Sequence, residues 1–261
     1  MHCRSIRLAA MAAMAAVIAL TAGCAAGSFG ARSFQVMKAA GSHEVPAPAD
    51  GRIAVGPGPS AYSVQPQTPG VDVLAGVPVV PVRVRHGDYR RAAFGEAWTD
   101  DTDAPGGHNQ CDTRNDILDR DLVDKTYVTT SRCPRAVAKG VLHDPYTSTT
   151  VNFQRGNKTG AAIQIDHIVP LAYSWDQGAW AWPEPLRVRF ANDPANLVAV
   201  QGQANQLKGD KEPASWMPPN AAFHCQYAMQ FIAVMRAYGL AVDGPSVPIL
   251  RDAAATCPGG R

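Results

Sequence analysis

Charge of one sign is what this chain most plainly lacks. Its 24 lysines and arginines stand against 22 aspartates and glutamates, and both surplus cations, Arg4 and Arg7, fall in the first 23 residues. A chain starting at Cys24 is neutral, which excludes a wholly basic nucleic-acid binder and confines any such contact to a local patch. None of the six cysteines stands in a CxxC pair, so a zinc ribbon is excluded, and His108 with Cys111 is too little to build a metal site. There is no internal repeat. Long hydrophobic runs are also missing, because the stretch from Leu8 to Leu20 is short for a bilayer.

The basic start, the apolar run and the small residues before Cys24 read as an export signal over residues 1–23. The segment LTAGCAAG resembles a bacterial lipobox with Thr21 where Leu is usual, and two outcomes stand: lipidation of Cys24, or an ordinary cut beside it. Either one makes the protein extracellular or part of the cell envelope, with membrane contact only through the lipid. Residues 24–70 are rich in Pro, Gly and Ala, lack periodic apolar faces, and read as a disordered linker. The remainder, 71–261, is one folded domain, and 46% apolar residues supply its core. Four cysteines belong to it. In an exported chain they favour two disulfides, and of the three connectivities the sequence neighbours are taken, Cys111 with Cys133 and Cys225 with Cys257.

Within the domain, CDTRNDILDRDLVDK carries Ile117, Leu118, Leu122 and Val123 at helical spacing after a capping Asp112 or Thr113. VDVLAGVPVV is a short helix or strand, and GVLHDPYTSTTVNF is a turn at Asp144-Pro145 leading into a β-branched run. In AAIQIDHIV, Ile163 and Ile165 share one face of a strand while Gln164 and Asp166 share the other. Short helices cover 171–190, a second short strand follows Asn196, and GQANQLKGDK is a polar helix closed by Gly209. The last long helix ends at Gly239, with a core stripe through Cys225, Met229, Ile232 and Met235. Tyr89, Phe94, Trp98 and the tryptophans at 175, 180 and 182 read as packing residues.

A strand ending in Asp-His, a second strand after Asn, and a helix with Asn and Lys outline a metal site for phosphodiester hydrolysis. Imidazole accepts a proton near neutral pH, while carboxylate and amide oxygens suit Mg²⁺. In IDHIVPL, FANDPANLVAV and NQLKGDKEPASWMPP the chain resembles the HNH, or ββα-metal, nucleases. It specifically resembles the secreted HNH endonuclease family proteins of actinobacteria and fungi, whose nuclease domain is similar to the C-terminal domain of GmrSD-type restriction enzymes. The resemblance also takes in CDTRNDIL and DPYT and covers residues 85 to 257.

The resemblance implies an α+β fold with a ββα-metal core embedded in a mainly helical, disulfide-stapled domain. It makes His167 the general base, Asp166 a ligand of a divalent cation, and Asn196 the residue that fixes loop and base. Asn205 stands where many HNH enzymes have a last His, so the site is an HNN variant holding Mg²⁺, or Mn²⁺ in its place, through Asp166 and Asn205. Lys208 and Arg189 are the expected phosphate contacts, and Asp210 pairs with a lysine or supports the metal from behind. The cluster Asp112, Arg114 and Asp116 reads as a network bracing the catalytic strand. DNA is the expected substrate and no protein partner is expected. Two rivals stand beside this reading: an RNase or sugar-nonspecific nuclease, and a catalytically silent binding protein of the envelope.

Overall fold

The run Leu-Val-Ala-Val at 197–200 has no polar residue to turn towards solvent, and all four side chains are buried. Alternation sends Leu197 and Ala199 into one hydrophobic core and Val198 and Val200 into another. The site depends on this strand, which is clamped from both faces.

The structure is a computed structural model describing residues 71–156 and 160–258. The expected leader 1–23, the lipidation site Cys24 and the linker 24–70 lie outside the described residues. Strand β1 (Val79–Val80) comes first, followed by a 3₁₀ turn at Arg91–Phe94. Helix α1 (Thr113–Asp121) begins where the Asp112 carboxylate accepts from the Asn115 amide at 2.9 Å. It ends when Leu122 turns extended (ψ 150). The three strands β2 (Val123–Thr130), β3 (Cys133–His143) and β4 (Thr150–Gln154) then form an antiparallel sheet in that order.

Next come β5 (Ile163–His167), α2 (Leu171–Asp176), α3 (Glu184–Asn192), β6 (Leu197–Gln201) and α4 (Gly202–Lys208). β5 and β6 pair antiparallel, with Ile163 opposite Gln201 and His167 opposite Leu197. The chain closes with α5 (His224–Ala237), β7 (Val242–Asp243), which pairs parallel with β1, and α6 (Ser246–Ala255). Gly239 takes a positive φ of 63° just after α5, a conformation that ends a helix at little cost for glycine.

The larger core packs α2, α3, α5 and α6 around Tyr173, Phe190, Tyr227, Phe231 and Tyr238. The smaller core joins α1 and the three-stranded sheet to β5 and β6 through Ile117, Leu118, Val137, Phe153, Ile163 and Leu197. Disulfides Cys111–Cys133 and Cys225–Cys257 take the expected pairing. They close loops of 22 and 32 residues, and loops of that length correspond to about 3 kcal/mol each on a chain-entropy basis.

The fold is therefore α+β with two disulfides, and the surround of β5, β6 and α4 mixes helices with a three-stranded sheet. The helix read across 111–125 stops at Asp121, and the sequence after it pairs with β3 through Tyr127–Val137 and Val128–Ala136. Half-exposed Thr, Tyr and Val suit a sheet with one solvent face, which a helical period through Ile117 and Leu122 conceals.

Candidate active site

Strand alternation divides the site between the two faces of β5. Gln164 and Asp166 face α4, where Asn205 Nδ2 donates to Gln164 Oε1 at 2.9 Å and Lys208 Nζ donates to Asp166 Oδ2 at 2.5 Å. His167 follows the opposite side, and its ring lies parallel to Trp98 with centroids 5.3 Å apart and an interplanar angle of 12°. Both faces meet at the end of β5, in a cleft of about 760 Å³ lined by Asp166, His167 and Asn205 together with Arg85, Arg91 and Arg114.

Lys208 does not reach the surface. Its side chain is 0% exposed, and besides Asp166 its ammonium donates to the carbonyls of His167 at 2.6 Å and Ile168 at 3.2 Å. All three of its donors are used, so the expected phosphate contact is corrected: Lys208 is the buried counter-ion of Asp166. A second donor, the Tyr146 hydroxyl, also bonds Asp166 Oδ2. Tyr146 is delivered by the Asp144-Pro145-Tyr146-Thr147 turn. Asp144 accepts from the Thr147 amide at 2.9 Å and its hydroxyl at 2.5 Å, and from the Gln201 amide at 2.9 Å. Burial pushes the Asp166 carboxyl up and the Lys208 ammonium down, and each opposes the shift in the other.

His167 is buried, and its Nε2 lies 2.9 Å from the Ala191 carbonyl. A carbonyl only accepts, so Nε2 carries the proton and Nδ1 keeps its lone pair. Burial pushes the imidazole pKa down to about 3; the Ala191 carbonyl opposes that, while Arg91 and Lys208 add to it. Asn196 is also buried, and its bonds go to the segment after the histidine. Its Oδ1 accepts from the Val169 amide at 2.8 Å, its Nδ2 donates to the Val169 carbonyl at 3.2 Å, and its own carbonyl accepts from the Ile168 amide at 2.8 Å.

The bond from Asn205 to Gln164 uses the amide nitrogen, which fixes Oδ1 as the acceptor left for a ligand. Gly202 permits this closeness: a Cβ there would stand 2.5 Å from the Ala161 carbonyl and 3.1 Å from Gln164 Nε2. Among the described residues no three His, Cys, Asp or Glu side chains gather into a metal cage. One carboxylate and one amide oxygen on an open cleft fit a hard cation that keeps most of its own waters, as Mg²⁺ does.

Arg189, the other expected phosphate contact, is corrected as well. It sits on α3 beside Tyr238, outside the cleft lining. Its neighbour Arg187 donates to the Ala93 carbonyl at 2.7 Å and to that of Trp182. Asp210 pairs with arginines and not with a lysine, at 3.1 Å from Arg83 and 2.5 Å from Arg85. Arg114 braces β5 as read, donating to the carbonyls of Gly160 and Ile163 at 2.9 Å each, and it lines the cleft too. Sequence reasoning missed Tyr146, Trp98, Arg85 and Arg91. Only Tyr146 carried a signal, in the DPYT segment.

Fold and site together define an α+β protein with an imidazole, a carboxylate and an amide converging on an arginine-flanked cleft. Residues 112–243, half of the chain, match the family described as GmrSD restriction endonucleases, C-terminal domain. The chain belongs to that family, which makes its domain one of nuclease type. It is also 35% identical over 153 residues to an uncharacterized secreted protein of Arthroderma benhamiae, an alignment covering 56% of this chain and 68% of the relative. No solved structure matches it.

Two outcomes follow from these contacts. Lys208→Met strands the Asp166 carboxylate and is expected to cost about 3–5 kcal/mol in urea unfolding, with part recovered in the double variant Lys208→Met, Asp166→Asn; a loss below about 1 kcal/mol would contradict the pairing. For His167 the folded-state pKa lies below the free value of about 6.5, so the unfolded chain takes up its proton first. Its stabilising contribution is full above pH 6.5 and is lost as pH falls towards 3, at about 1.4 kcal/mol per pH unit. Wild type is therefore expected to lose stability more steeply than His167→Gln between pH 6.5 and 4.5, and equal slopes would refute the buried neutral imidazole.

Proposed function

We propose that the protein is an exported, metal-dependent endonuclease of the HNH type that hydrolyses phosphodiester bonds of DNA, with β5, β6 and α4 as its ββα-metal core. The observation that carries this reading is the meeting of a neutral imidazole, a carboxylate and an oriented amide oxygen in a cleft flanked by Arg85, Arg91 and Arg114. Export rests on the sequence of residues 1–23, on the two disulfides and on the relative described as secreted. Lipidation at Cys24 and an ordinary cut remain the two forms it takes.

Arginines at the cleft draw in the anionic backbone and hold it as a charge and not as a sequence. Nδ1 of His167 accepts the proton of the attacking water, and Trp98 and the Ala191 carbonyl fix the ring while it does so. An imidazole of pKa about 3 is a weak base. Burial is the main cause of that depression, and a phosphate entering beside Arg91 offsets the smaller part that this cation adds. Asp166 and Asn205 would hold Mg²⁺, or Mn²⁺ in its place. When bound, the cation supplies positive charge to the phosphate and the departing oxygen. Asn196 keeps the Ile168–Val169 segment, and with it the end of β5, from shifting during the reaction.

Plasmid cleavage by the oxidised full chain tests the reading. Cleavage is expected with Mg²⁺ or Mn²⁺, none with EDTA, and a loss of about 10²- to 10⁴-fold in His167→Ala. A folded, oxidised wild type that leaves both the plasmid and single-stranded DNA intact would overturn DNA as substrate, and the same result with RNA would leave a binding protein.

A further inference from the structure

Trp180 is the one tryptophan the fold does not absorb. Trp175 and Trp182 are buried, whereas Trp180, on the 3₁₀ turn Ala179–Ala181, is 52% exposed. The side chain read from sequence as a packing staple therefore stands in water. Its ring is stacked on His86, with centroids 5.6 Å apart and planes at 21°. His86 lines the active-site cleft and Trp180 does not, so the stacked pair stands at the cleft's rim.

The segment carrying His86 is held rigidly. The His86 amide donates to Asp176 Oδ1 at 2.8 Å, and Arg83 Nε donates to Asp176 Oδ2 at 2.8 Å. The Trp175 indole donates to Asp88 at 3.0 Å. Asp176 ends α2, so the shelf is fixed to the same body as the cleft. Arg85, one residue before His86 and 64% exposed, also lines the cleft, where it pairs with the half-exposed Asp210 at 2.5 Å and can turn part of its guanidinium to a phosphate. A flat aromatic shelf beside a cation suits neither an acidic peptide nor a bare phosphate as well as it suits a nucleotide, which presents a π-face and an anion together.

We propose that the His86–Trp180 pair is a stacking platform for an unpaired nucleobase, so that the DNA is single-stranded where it crosses the rim of the cleft. Inside a duplex both faces of each base are covered by its neighbours, and only an unpaired base can lie on an aromatic ring. Arg85 takes the adjoining phosphate, and stacking is indifferent to base identity. The inference rests on the nuclease reading and adds to it the form of the substrate.

The test is binding by the oxidised full chain in EDTA, read by fluorescence anisotropy. The probes are a labelled oligothymidine and an oligomer of the same length whose central residues are abasic. Wild type is expected to bind the oligothymidine roughly tenfold more tightly than the abasic oligomer, Trp180→Ala to remove most of that difference, and Trp180→Phe to keep most of it. With Mg²⁺ present, Trp180→Ala is expected to raise KM for the single strand more than it lowers kcat. Unchanged affinity in Trp180→Ala, or an equal loss on both oligomers, would overturn the platform while leaving the nuclease reading standing. A wild type that neither binds nor cleaves any nucleic acid would overturn both.

Discussion

The ion pair between Asp166 and Lys208 sets most of what surrounds it. A lysine with no exposed surface needs its charge answered and its three protons accepted. The carboxylate of Asp166 and the carbonyls of His167 and Ile168 meet both needs. In meeting them, Lys208 pins the last residue of α4 to the last residues of β5, which fixes the distance between Asn205 and the Asp-His pair. Buried pairs of this kind contribute little net stability against apolar replacements, although breaking one is costly. What this pair secures is geometry. One oxygen of Asp166 is committed to Lys208 and Tyr146, and the carboxylate keeps a fixed orientation at the cleft.

The two cores supply the rigid frame. β6 is buried on both faces, and its partner β5 is buried on the isoleucine face and covered by α4 on the other. Of the polar residues of β5, Gln164 is half-buried and Asp166 and His167 are buried, and all three line the cleft. Positive charge is distributed to match. The overall balance is near zero, yet Arg85, Arg91 and Arg114 face one cavity together with Asp176 and Asp210, while Arg83 bridges Asp176, Asp210 and Glu212 and Arg85 shares Asp210 with it. A neutral protein thus gathers three arginines around the cleft that holds His167.

Much of this was legible in the sequence wherever the signal was local. The alternation through Gln164 and Asp166, the turn before Leu197, the Gly209 stop and the disulfide pairing all depend on near neighbours. Lys208 shows where such reading ends. It lies three residues after Asn205, a spacing that sets both on one face of α4, but whether that face met solvent or β5 depended on a carboxylate 42 residues earlier. Tyr146 was hidden for the same reason, since its partner lies 20 residues away. The arginines of 85–91 sit in irregular chain without a period to mark them. Trp180 differs from Trp175 and Trp182 only in exposure, which composition does not encode.

The proposed cation site is the part of this account from which the chemistry follows, and Mn²⁺ binding read by electron paramagnetic resonance on the full chain tests it without needing turnover. Wild type is expected to bind the ion, and Asn205→Ala and the double variant Lys208→Met, Asp166→Asn, which strands no buried charge, are each expected to weaken binding by about tenfold or more. Wild-type affinity in both variants would show that the ion sits elsewhere, and the assignment of Asp166 and Asn205 would fall.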